Sequence, residues 1–308
     1  MPRSVPPVPS VLALLGAVVL ASPRAALAQS RQIPAPAQTT PVVIHSATIH
    51  PVSGPVIEIG HVVIEEGRIS AVGAGAAPDV AGARALDASG LHVYPGLIST
   101  DTTLGLQETG QVQVTHDHTE YGRVTPEVRA AVAVNPDSDL IPVTRSNGIL
   151  TALVLPKGGL ISGRAALIRL DGWTWEDLAI DDAAGLVLNW PRTEPITATW
   201  MDRSMSQQRK EIDEALEEID ALFDAAEAYF ASREHDPEQA SDLRYEAMRV
   251  VIDGERPVFV RAASSGQIES AIAWASAGST RRAEPAMRTS APSSAPRAEM
   301  RMAAMPNT

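Results

Sequence analysis

Cysteine is missing from all 308 residues. That excludes disulfides, thiolate metal ligation, a cysteine nucleophile and a lipid anchor on cysteine. It does not exclude export, because a large core needs no cross-links. Aromatic residues are scarce, at 4%. Basic charge is also short: 25 Lys and Arg stand against 37 Asp and Glu, for a formal charge of −12. Such an acidic chain is a poor match to a nucleic-acid backbone, so no nucleic-acid partner is expected.

The N-terminus reads as a removable export signal over residues 1–28. Arg3 supplies the positive start, Val11 to Ala21 the apolar stretch, and Ala26-Leu27-Ala28 the small-x-small site, with cleavage after Ala28. Eleven residues fall short of the ~20 that span a bilayer, so no stable membrane anchor remains after cleavage. Losing Arg3 and Arg24 and no acids takes the charge from −12 to −14. The expected location is secreted or periplasmic. Residues 29–41 are Pro- and Gln-rich without periodicity and read as a linker.

From 42 to 95 the pattern is strand-like. Val42-Val43-Ile44 and Ala47-Thr48-Ile49 flank a polar break, and Glu66-Gly67 marks a hairpin turn before Ile69 to Val72. Pro95-Gly96 turns into Leu97-Ile98, a short buried-strand signal followed by the polar cluster Ser99 to Thr103. Residues 106–140 are polar and irregular. They hold the only His-x-His, His116-Asp117-His118; i and i+2 side chains share a face on a strand and can share a metal, although here the surroundings read as a loop. Ile149 to Leu155 is a buried strand, and Pro156-Lys157-Gly158-Gly159 reads as a turn whose spacing fits no phosphate-binding fingerprint.

Helical periodicity then takes over. Ile212, Leu216, Ile219, Phe223, Ala226 and Phe230 form one apolar stripe, and the acidic residues on the other faces read as solvated. A second helix is expected over 238–251, burying Leu243, Ala247 and Val250 or Val251, then a strand over 257–262 and a helix from Gln267. Residues 276–308 hold no Ile, Leu, Val or aromatic residue and are expected to be a disordered tail.

Two stretches carry a family resemblance. The run Pro95-Gly96-Leu97-Ile98-Ser99-Thr100-Asp101-Thr102-Thr103-Leu104-Gly105 resembles the PGLID-x-H-x-H-x-G signature of the amidohydrolase superfamily, in its secreted imidazolonepropionase-like branch. Residues 135–177 resemble the same branch, and the resemblance spans about 42–272. It implies a β-sandwich part over 42–95 (a urease-like composite domain) and a TIM-type (β/α) barrel from 96 to 275. It also implies hydrolysis of non-peptide C–N bonds of a small-molecule substrate by water on a divalent metal of the zinc type.

The departures matter as much. Asp101 and Thr103 stand where the family has its first two His, and no His follows His235 in the remaining 73 residues. Only four or five strand signals follow the opening stretch, so the barrel is expected to be incomplete. Asp101, His116 and His118 are the candidate metal positions. The expectation is an exported amidohydrolase-like protein, truncated, without its metal ligands and inactive as a polypeptide. The alternatives are a non-catalytic envelope binding or scaffold protein and a non-functional fragment. The Arg-, Ala- and Pro-rich end also suits an out-of-frame reading of a longer gene.

Overall fold

A computed structural model describes residues 33–198, 202–286 and 302–306. The expected export signal, its cleavage point and the first linker residues lie outside them.

The first sheet grows from β1 (Val42–Ile49), β2 (Ile57–Glu65), β3 (Arg68–Ala74), β4 (Arg84–Asp87) and the short β5 (His92–Val93). The expected break in β1 is a bulge within one strand: Ser46 takes φ 62° and the register to β2 slips between Ile44 and Ala47. Glu66 and Gly67, at φ 50° and 72°, turn β2 into β3, the left-handed pair that a two-residue hairpin requires. The order is β3-β2-β1-β4, with β5 also parallel on β1. Ala47, Ile49, Val62 and Ala88 are its core. Among the described residues this sheet is a single layer.

The second sheet contains β6 (Leu97–Thr102), β7 (Ile149–Val154), β8 (Ile161–Arg169), β9 (Ala179–Asn189), β10 (Val258–Ala262) and β11 (Met302–Pro306), side by side in sequence order. It curls into a half-barrel. All strands but β8 run the same way; β8 is antiparallel to both β7 and β9. Within the incomplete (β/α) barrel that was expected, β8 departs from the parallel order. The cause is local: the Pro156–Leu160 connection is too short for a crossover and can only send the chain straight back.

Helices α1 (Ala130–Ala133), α2 (Leu140–Ser146) and α3 (Trp175–Leu178) cover one end of this sheet, where Ile141, Ala152, Val154, Ile168 and Leu178 pack together. The larger core lies under α4 (Met205–His235), α5 (Leu243–Ile252) and α6 (Ser265–Ala286). Ser204 starts α4 with a reciprocal cap, accepting from Gln207 N while its own N–H donates to the Gln207 side chain. The stripe then buries Ile219, Phe223, Ala226 and Phe230 against Leu186, Leu188, Val258 and Val260, each large side chain contributing about 1.5–3 kcal/mol. In α5, Ala247, Met248 and Val251 are buried and Leu243 is exposed. Leu243 is the first residue after the Asp242 cap, before the buried stripe begins.

Two further expectations change. Leu97 and Ile98 are each 60% exposed, because β6 is the sheet's edge and lacks a neighbour beyond it among the described residues. Of the segment 276–308 expected to be disordered, α6 continues to Ala286 and Met302–Pro306 pairs in parallel with β10. Alanines at 273, 275, 277, 283 and 286 favour helix by their intrinsic propensity. The free edge of β10 offers a backbone ladder to a strand of any composition.

Candidate functional site

The C-terminal ends of the parallel strands meet at one rim, at Thr102, Val154, Asn189 and Ala262, joined by the first residue of β8. Such a rim is where a (β/α) fold gathers its chemistry. Along β10, Val258, Val260 and Ala262 point to the helices. By alternation Phe259 and Arg261 point into the concave face, where Phe259 joins Leu153, Leu155, Ala165 and Val187.

Arg261 is therefore buried at the rim, 5% exposed. Its Nη2 donates to Asp101 Oδ1 at 2.8 Å and to the Leu155 carbonyl at 3.2 Å; Nη1 donates to the Pro156 carbonyl. One guanidinium thus holds the ends of β6 and β7 from β10. Its Nε is buried with no partner. Asp101, one of the candidate metal positions, neutralises this cation.

The segment 104–129 arches over the rim. Lys157 N donates to the His118 carbonyl at 2.6 Å, and Asp117 N donates to the Leu106 carbonyl at 2.8 Å. Further on, the segment replaces β7 along the first half of β8: Leu160 N donates to Arg123 O at 2.6 Å and Arg164 N to Val128 O at 2.7 Å. The turn between β7 and β8 is tied inward, since Asn189 Nδ2 donates to the carbonyls of Gly158 and Gly159 at 3.0 and 3.1 Å. A phosphate cradle needs converging N–H groups; these are carbonyls that a side chain already occupies.

His116 and His118 sit side by side, ring centroids 5.2 Å apart, on a loop and not on a strand. His116 Nε2 lies 3.1 Å from the Thr109 carbonyl. His118 Nδ1 is buried without a partner. Burial lowers the His118 pKa, and the positive charges of Lys157 and Arg261 with neighbouring His116 lower it further; Asp117 opposes them weakly.

The structure thus brings Asp101 and His118 to one rim, with His116 turned to its own loop. Among the described residues no three His, Asp or Glu side chains gather where a metal could be held. A divalent cation does not fit this donor set. The Asp101 oxygen that would bind it is taken by Arg261, and the buried guanidinium would repel a second cation beside it. Thr103 serves through its backbone, accepting from Leu106 N at 2.9 Å. Sequence reasoning missed Arg261. The available signal was a charged residue at the inward position of an otherwise apolar strand, Val258-Phe259-Val260-Arg261-Ala262.

The fold resembles that of one solved amidohydrolase. The chain is similar to the crystal structure of an amidohydrolase from Thermotoga maritima MSB8, with a TM-score of 0.63 over 76% of this chain and 61% of that one, at 20% sequence identity. At that identity the likeness is one of fold, and the chain spans about three-fifths of the length of that enzyme. Two weaker matches carry no argument: an uncharacterized protein (TM-score 0.36, 15% identity, 74% of this chain and 57% of that one) and a prolidase complexed with N-methylphosphonate-L-proline (0.26, 22%, 37% and 25%). No family model and no curated protein matches the sequence.

Proposed function

We propose that this chain is an exported, amidohydrolase-fold protein of the secreted imidazolonepropionase-like kind. In this reading its rim has exchanged metal-dependent hydrolysis of C–N bonds for an internal ion pair, and the protein binds a small molecule without metal-assisted turnover. The observation that carries the reading is the Arg261–Asp101 contact at 2.8 Å. In this reading the buried Arg261 guanidinium takes the place that the ion would have in a metal-dependent relative. Truncation of a longer barrel and a composite N-terminal domain belong to the same proposal, supported by the open edge of β6 and the single-layered first sheet.

Metal analysis of the purified full chain, with a panel of cyclic amides and N-acyl amino acids, tests it. Less than stoichiometric zinc, nickel and manganese with no turnover is the expected result. Stoichiometric metal that activity requires would overturn it. N-terminal sequencing of the envelope fraction tests export, with Gln29 as the expected first residue. For truncation, the DNA past codon 275 is read in the other two frames; a continuation with barrel-like strands and helices supports that part, and its lack in both frames refutes it.

A further inference from the structure

Beyond the rim, the stretch after β9 walls a cavity of about 710 Å³ against the first turns of α4. Ligand cavities are typically about 300–1,000 Å³. The wall is held at both ends by buried amides. Gln267 Nε2 donates to the carbonyls of Trp190 and Pro191 at 2.8 and 3.1 Å. Gln208 accepts from Ile196 N at 2.8 Å and donates to the carbonyls of Ile196 and Arg203 at 3.2 and 3.1 Å. Both glutamines are 8% exposed, so the chain at Trp190, Pro191 and Ile196 is tied into the packed structure.

The floor is apolar: Leu160, Ile196, Ile212 and Ala215. Charge is confined to the rest of the lining and is mostly committed. Arg123 pairs with Glu218, and Arg203 with Glu211, each at 2.6 Å. Arg192 and Glu194 also line the cavity, and neither makes an ion pair among the described residues. They stand two apart, with the chain bending at Thr193 and Glu194, and both face the same cavity.

We propose that this cavity binds a small zwitterion with an apolar side chain, of the chemistry of a free aliphatic amino acid. Its carboxylate meets the Arg192 guanidinium, whose planar fork suits it. Its ammonium meets Glu194, and its side chain lies on the apolar floor. The inference does not depend on whether the rim hydrolyses anything.

Calorimetric titration of the full chain with L-leucine, 4-methylpentanoate and 3-methylbutylamine tests it, the last two each lacking one charge of the first. Leucine should bind saturably, and each single-charge probe should bind about tenfold or more weakly, the worth of one charge-assisted hydrogen bond. Arg192→Ala should weaken leucine by a similar factor and leave 3-methylbutylamine unchanged. Glu194→Gln should weaken leucine and leave 4-methylpentanoate unchanged. Both side chains are exposed, so both variants should fold, and the three-probe comparison on the unaltered chain decides independently. No saturable leucine binding, equal binding of all three probes, or leucine binding indifferent to both substitutions would overturn the proposal.

Discussion

Arg261 Nη2 and Asp101 Oδ1 are 2.8 Å apart although four strand steps separate β10 from β6. In a flat sheet those steps would cover about 19 Å, more than the two side chains span together. The ion pair is therefore a chord across the half-barrel, and the curl of the sheet is what makes it possible. Removing Arg261 frees that chord and leaves Asp101, itself mostly buried, without its partner. Arg261→Met should cost about 3–5 kcal/mol, the range for breaking a buried pair on one side. Asp101→Leu combined with Arg261→Met should recover part of that loss, because the double variant strands no charge. Urea denaturation midpoints of the two variants and the unaltered chain check this; a double variant no more stable than Arg261→Met contradicts it.

His118 makes stability depend on pH in one direction. Its folded pKa is lowered, by burial first and then by Lys157, His116 and Arg261. A group lowered on folding is neutral in the native state over a range where the unfolded chain is already protonated. The unfolded state then binds more protons, and stability falls as pH drops. The loss should begin near the ordinary histidine value of 6.5 and continue down to the lower folded value. Above that window both states are neutral and His118 contributes no slope. His118→Gln should flatten this part of the profile, and urea midpoints between about pH 5 and 8 would show whether it does.

Gly163 lets the arching segment replace β7 along β8. Its φ is 120°, and a Cβ there would stand 2.7 Å from the Val128 carbonyl, the acceptor for Arg164 N. Both the conformation and the backbone contact oppose any side chain. Gly163→Ala should destabilise the protein by about 1–3 kcal/mol and should speed proteolysis within 104–129 before global unfolding. Limited proteolysis at a fixed denaturant concentration separates that local release from general loss of stability.

Much of the scaffold was legible because it rests on local signals. The α4 stripe, the Glu66-Gly67 turn and the β10 run all announce themselves within a few residues. β9 (Ala179–Asn189) did not: its first seven residues read Ala-Ile-Asp-Asp-Ala-Ala-Gly, and only Leu186-Val187-Leu188 forms a continuous run of large apolar residues. The reversed direction of β8 was hidden as well, since strand direction depends on what the connection permits and not on the strand's own residues. At the rim, Asp101 was visible as a departure from a motif, but its partner lies 160 residues away. No periodicity links Asp101 to Arg261; only the closure of the sheet does.

That closure also decides what restoring the histidines would achieve. Asp101→His with Thr103→His rebuilds the two first-strand ligands that the resemblance implies, and on motif alone zinc binding should return. The rim argues otherwise. The substitution removes the carboxylate from a 5% exposed guanidinium, so Arg261 keeps a buried charge with only carbonyls to hold it. A zinc ion on the new histidines would sit beside that charge and still lack a third protein ligand among the described residues. The double variant should therefore bind zinc at well below one equivalent, hydrolyse none of the amide panel, and unfold at lower urea than the parent. Adding Arg261→Met should raise zinc occupancy by removing the repulsion, without producing turnover. Metal content after dialysis against zinc, read for the two variants side by side, is the deciding measurement. A full equivalent of zinc bound while Arg261 is still present would show that the guanidinium does not guard the rim.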